Sequence, residues 1–217
     1  MRKTRVLVSV VAAGVGVLSV VGISRATISG SPHDFKDETW NTTKDTCGVC
    51  HTPHHAVTPQ LIPLWSHQST ESSFTPYDSP TLNATDVGQP SGVSKACLSC
   101  HDGSVAINSY NGVTGSEYVE GDALLSTDLS DDHPISFTYD TALANADGFL
   151  WDPSTVTVPL MGGKTIKAAM LSGDKLECSS CHDIHKQKGT SSTSQLMLVI
   201  SGDQGVGSKL CLTCHNK

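Results

Sequence analysis

All eight cysteines of this chain fall in one five-residue unit, Cys-x-x-Cys-His. The four copies are Cys47-Gly-Val-Cys50-His51, Cys97-Leu-Ser-Cys100-His101, Cys178-Ser-Ser-Cys181-His182 and Cys211-Leu-Thr-Cys214-His215. Two thiols one short turn apart can reach the two vinyl groups of a porphyrin and become thioethers, leaving the adjacent imidazole under the iron. Four disulfides or zinc knuckles would also use paired cysteines. Neither chemistry needs a histidine after every second cysteine. The motifs therefore predict four covalently attached c-type haems, with His51, His101, His182 and His215 as proximal ligands.

Each iron has a second face. Removing the proximal residues leaves His33, His54, His55, His67, His133 and His185, more imidazoles than four haems can take. The surplus predicts bis-histidine ligation with no open iron, and hence an electron-transfer protein rather than an enzyme. A haem enzyme would keep one face open, lined by catalytic Lys, Arg or Tyr, and no basic cluster accompanies any motif. His54 and His185 each follow a proximal histidine by three residues. On a helical turn that spacing puts both imidazoles on one side. Such a residue cannot ligate its neighbour's haem from the far face, but it can reach a second haem packed alongside. His33, His67 and His133 are the other expected distal ligands, and His55 is the expected spare. Met161, Met170 and Met197 are read as packing residues.

The elements that must position these groups are sparse. Aromatic residues make up 5% of the chain, with 19 Gly and 10 Pro. Stretches such as residues 75–94 carry a turn residue every few positions. The expected fold class is irregular coil with short α-helices wrapped around a stack of four haems, the porphyrins themselves serving as core. A minor β-hairpin is expected in residues 154–170, where alternating runs flank Gly162-Gly163. The order of motifs repeats: His33, CxxCHxxH (47–54) and CxxCH (97–101), then His133, CxxCHxxH (178–185) and CxxCH (211–215). Two dihaem modules in tandem, residues 27–115 and 116–217, are the economical division.

Residues 1–26 read as a signal peptide, with basic Arg2, Lys3 and Arg5, an apolar run from Val6 to Ile23, and a small-x-small site ending at Ala26. An uncleaved anchor is the competing reading, because the apolar run is just long enough to span a bilayer. Cleavage predicts an exported protein, periplasmic or at the cell surface and beyond, with no membrane insertion. Loss of Arg2, Lys3, Arg5 and Arg25 takes the formal charge from −7 to −11. That charge argues against a nucleic-acid groove, which needs a basic face. It suits cationic or neutral partners.

The stretches "SPHDF", "CGVCHTPH", "LWSH", "GVSKACLSCHDGSVA", "LSTDLSDDHPISF" and "LCLTCHNK" resemble the doubled-CxxCH multihaem c-type cytochromes. Within that family the chain is similar to the tetrahaem extracellular filament cytochromes of metal-reducing bacteria, over essentially the whole sequence after residue 26. The resemblance implies long-range electron transfer along stacked bis-histidine haems. It implies other copies of the chain as partners, with His54 crossing to a neighbouring subunit and His33, His67, His133 and His185 serving haems of their own chain. Redox donor and acceptor proteins, or extracellular metal oxides, are the other implied partners. A soluble periplasmic shuttle or a subunit of a redox complex would share the chemistry without the polymer.

Overall fold

A computed structural model describes residues 28–57, 62–185 and 209–217. The expected signal peptide lies outside the described residues. Among those described, no helix is long and apolar enough to cross a membrane.

The amino-terminal part is built from turns. A 3-10 turn at Phe35–Asp37 leads to Asn41, which is buried. The Asn41 side-chain amide donates to the carbonyls of Phe35 and Asp45, 3.0 and 3.1 Å away, and so fixes the approach to the first motif. Asp45 then accepts from the Cys47 N–H at 2.9 Å, in the manner of a helix cap.

Helix α1, Gly92–His101, is the longest element among the described residues, and its carboxyl-terminal turn is the second motif. Its inner face presents Ser94, Ala96, Leu98 and Ser99, all buried. Small side chains there let other backbones come close. Ser99 accepts the Thr70 N–H at 3.1 Å, while Asp102 just past the helix accepts from the Thr70 and Ser104 hydroxyls.

Beyond α1 the elements are short. Strand β1 (Phe137–Thr138) is followed by helix α2 (Thr141–Asp147), which starts on Asp140 accepting from Leu143 N–H and ends on Gly148 at φ 75°. Strands β2 (Thr157–Val158) and β3 (Lys164–Thr165) pair antiparallel around Gly162 and Gly163, both at positive φ. The hairpin is shorter than the alternating run of residues 154–170 promised. Thr165 caps the next turn through the Ala168 N–H, so its second arm becomes helix α3, Ile166–Met170. Strand β4 (Lys175–Leu176) pairs with β1, and the single-turn helices α4 (Cys178–Cys181) and α5 (Cys211–Cys214) are the third and fourth motifs.

A side-chain core exists alongside the motifs. Phe137, Tyr139, Ala144, Val158, Ile166, Met170 and Leu176 form one buried cluster, and a smaller one joins Phe74, Leu98 and Leu129. The two expected modules are tied together across residue 115. Asp86 accepts from the Thr138 N–H and hydroxyl, and Glu177 accepts from Ser94 of α1. Ala84 and Val87 of the first half pack on the larger cluster.

Candidate functional site

One helical turn shapes each motif. The histidine N–H donates to the carbonyl of the first cysteine at 2.8 Å for His51 and 2.9 Å for His182 and His215. In α1 the same residues complete the last turn of a longer helix. The turn brings the two thiols of a pair to one side and releases the histidine beside them. All eight cysteines are free thiols. Burial pushes the Cys50 thiol up to about 11 and those of Cys100 and Cys214 to about 12, so these sulfurs stay protonated at neutral pH. Reactive thiolates need the opposite, electropositive surroundings.

The motifs are neighbours in chain order. Cys50 is close enough to Cys100 to raise its pKa, after burial itself. Cys97 and Cys178 share a hydrogen bond between their side chains. Cys181 in turn feels Cys211, and Cys214 feels Cys181.

The histidines come together in pairs. The His33 and His101 ring centres are 6.0 Å apart, those of His51 and His185 6.4 Å, and those of His133 and His215 6.4 Å. A metal-bound imidazole has its ring centre roughly 3 Å from the metal, so two on opposite faces stand about 6 Å apart. Each pair could hold one metal from both sides. Among the described residues no group of three or more His, Cys, Asp or Glu side chains converges on a bare ion.

Second partners orient these rings. His51 Nδ1 donates to the Pro63 carbonyl at 2.8 Å, His101 Nδ1 to that of Ala123 at 2.7 Å, and His133 Nδ1 to that of Pro134 at 2.9 Å. Asp183 Oδ1 lies 3.7 Å from His185 Nδ1. A proton held on Nδ1 leaves the Nε2 lone pair available to a metal. Burial, then the neighbouring His101, His182 and His185, push His33 down to about 4, so it is neutral at ordinary pH. Sequence reasoning could not find Pro63, Ala123 or Pro134, since what they offer is a backbone carbonyl.

Other expected ligands are placed differently. His185 stands beside His51 of the first motif, the ring centres 6.4 Å apart. It does so without the helical turn expected from the spacing, because α4 stops at Cys181 and His182 is extended, at φ −115° and ψ 137°. His67 is buried, with Nδ1 2.8 Å from the Gln68 carbonyl and Nε2 3.0 and 3.1 Å from those of Ala106 and Ile107. It bridges two backbone segments, an arrangement unlike the facing pairs. His54 and His55 are exposed on the loop after the first motif, and His55 has φ 60°.

Exposed apolar side chains cluster beside the proximal histidines. Leu64 follows Pro63, Leu124 and Leu125 follow Ala123, and Phe149, Trp151 and Leu212 lie by the fourth motif, where Trp151 N–H donates to the Cys214 carbonyl at 2.8 Å.

Comparison with protein-family models gives no match, and a search of curated proteins gives none either.

Proposed function

We propose that this chain is an exported tetrahaem c-type cytochrome, a conduit that carries electrons through closely spaced bis-histidine haems and polymerises into extracellular filaments. The observation that carries the reading is the set of three facing imidazole pairs, each joining a Cys-x-x-Cys-His histidine to a second histidine at 6.0–6.4 Å. The residues fit the group in other respects. The thiols lie beside the proximal imidazoles, the ring tautomers favour Nε2 as ligand, and the exposed leucines and aromatics offer apolar surface where porphyrin faces would lie. Bound haem supplies one-electron redox chemistry that no side chain here offers.

On this reading the protein fastens the porphyrins through the eight cysteines and caps them with imidazole on both faces. Substrate is then kept off the iron, and no catalytic turnover is expected. The sulfur neighbours set a haem order that follows the chain, first to fourth. His54, exposed beyond the first motif, is the imidazole offered to a neighbouring copy. His67 is a structural bridge in place of a ligand.

Two measurements test the reading. The mature secreted protein is expected to exceed its polypeptide mass by four haem groups and to be low-spin throughout when oxidised. Fewer haems, or a substantial high-spin fraction, would overturn it. Negative-stain microscopy is expected to show filaments for wild type and none for His54→Ala. Absence of filaments from both moves the protein to the soluble-shuttle reading.

The His67 assignment has its own check. His67→Ala is expected to keep four low-spin haems while losing about 1–3 kcal/mol of stability, because the single N–H of the neutral ring no longer reaches the buried carbonyl it serves. A new high-spin signal would return His67 to the ligands.

A further inference from the structure

Glu177 is 2% exposed, a carboxylate inside the protein one residue before Cys178. It accepts from the Ser94 N–H at 3.3 Å, the Ser136 hydroxyl at 2.9 Å, the Ser94 hydroxyl, and the Ser180 N–H in a capping box. The hydroxyl protons have only one place to go. Ser94 Oγ already receives the Cys178 N–H at 3.0 Å, and Ser136 Oγ receives the Ser91 N–H at 3.0 Å, so each O–H is turned onto Glu177. The hydroxyls and the N–H around the carboxyl are all donors, so its oxygens serve as acceptors throughout.

Among the described residues no basic side chain lies within ion-pair distance of Glu177. Lys175, which shares Ser136 with Glu177 as a neighbour, donates to the Ser136 carbonyl at 3.0 Å and to Ser91 Oγ at 3.4 Å. A buried charge held by hydrogen bonds alone is costly unless an opposite charge lies near it. The location supplies a reason. Ser94 stands one turn before Cys97 on α1, and Cys178 follows Glu177 directly, so the carboxylate joins the helices of the second and third motifs where Cys97 meets Cys178. Its field reaches both thiols, adding to the rise at Cys97 that the Cys178 hydrogen bond and burial begin.

We infer that Glu177 is a fixed negative charge shared by the second and third haem sites, which favours ferric over ferrous iron there and so lowers both reduction potentials relative to an uncharged residue. The inference rests on the four-haem reading. A ferric bis-imidazole haem carries one net positive charge that is lost on taking up an electron, so a buried anion beside it favours the oxidised form. The result is a step in the potential profile at the middle of the chain, set by a residue that touches no iron.

Glu177→Gln keeps the shape and the acceptor oxygen and removes the charge. Spectroelectrochemical titration of the full haem-loaded protein is expected to show two of four potentials raised. A single charge in a partly buried site is worth on the order of tenfold in the ferric–ferrous equilibrium, about 59 mV for one electron. Glu177→Asp is expected to keep both potentials near wild type. Unchanged potentials in Glu177→Gln, or four equal shifts, overturn the inference, as does a Glu177→Asp that behaves like Glu177→Gln. Mass spectrometry of each protein separates this from the reading beneath it, since a four-haem count with unmoved potentials defeats only the role of Glu177. Should Glu177→Gln load fewer haems, Ser136→Ala keeps the charge and removes one hydroxyl that screens it. The same two potentials are then expected to fall, and their constancy overturns the inference.

Discussion

Protein carrying His133→Ala is expected to retain four covalent haems and to hold about one quarter of its ferric iron high-spin, the share of one site in four that loses an axial imidazole. His133 and His215 are the facing pair of the fourth motif, 6.4 Å apart, with His133 fixed by its Nδ1 donation to the Pro134 carbonyl. On the proposed tetrahaem reading, thioether attachment rests on Cys211 and Cys214 and not on His133, so the haem would stay while its spin state changes. Electron paramagnetic resonance or the ferric visible spectrum reads the fraction. Added imidazole is expected to restore the low-spin signal, because the vacated position is small-molecule sized. A spectrum that stays fully low-spin would remove His133 from the ligand set. The contrast with His67→Ala is built in, as both positions read alike in sequence and only one faces another imidazole.

That contrast shows where sequence stops being informative. The turn at each Cys-x-x-Cys-His unit is legible because its residues are contiguous, and a single turn of backbone, closed by the histidine N–H on the first cysteine carbonyl, carries the geometry. The second imidazoles are set by tertiary structure. Nothing near His185 in sequence indicates that it faces His51, or that His33 faces His101. His67 reads like its fellows in sequence, and only the fold shows its Nε2 lying 3.0 and 3.1 Å from the carbonyls of Ala106 and Ile107, some forty residues on. The i, i+3 spacing of the Cys-His-x-x-His units suggested service to a second site, and the argument through a helical turn fails because the helix has ended before the histidine.

The architecture was partly legible for a similar reason. A Gly162-Gly163 turn between alternating residues fixes a hairpin locally, but the cap supplied by Thr165 overrides the strand pattern beyond it. The apolar cluster drew on strands of two residues and helices of one or two turns, too short to show any period. The motif repeat reads as two modules in tandem, and it carries no sign of the contact from Glu177 back to Ser94 of the first, 83 residues away in sequence.

Ile166→Ala tests how far that side-chain cluster, and not porphyrin alone, holds the second half together. Ile166 is 0% exposed at the start of α3, with its N–H donating to the Val156 carbonyl at 3.0 Å. Phe137, Tyr139, Val158, Met170 and Leu176 share its cluster, and Leu210 and Cys214 of the fourth motif pack against it. Truncation removes three carbons from a site closed on all sides, and the neighbours are themselves pinned. The Tyr139 hydroxyl donates to the Trp151 carbonyl at 2.6 Å and also reaches that of Cys214 at 3.3 Å. Poor relaxation puts the expected loss at about 2–5 kcal/mol, transfer and cavity terms together. Guanidinium unfolding followed by the Soret band and far-ultraviolet dichroism should show a lower midpoint at an unchanged slope. Val113→Ala, at an exposed position outside the cluster, is expected to stay within about 0.5 kcal/mol of wild type. If Ile166→Ala unfolds with the wild-type midpoint, the haems alone sustain the fold and the apolar cluster merely accompanies them. A loss of the expected size makes the peptide core a partner in holding the fourth site, with Tyr139 as the link between the two.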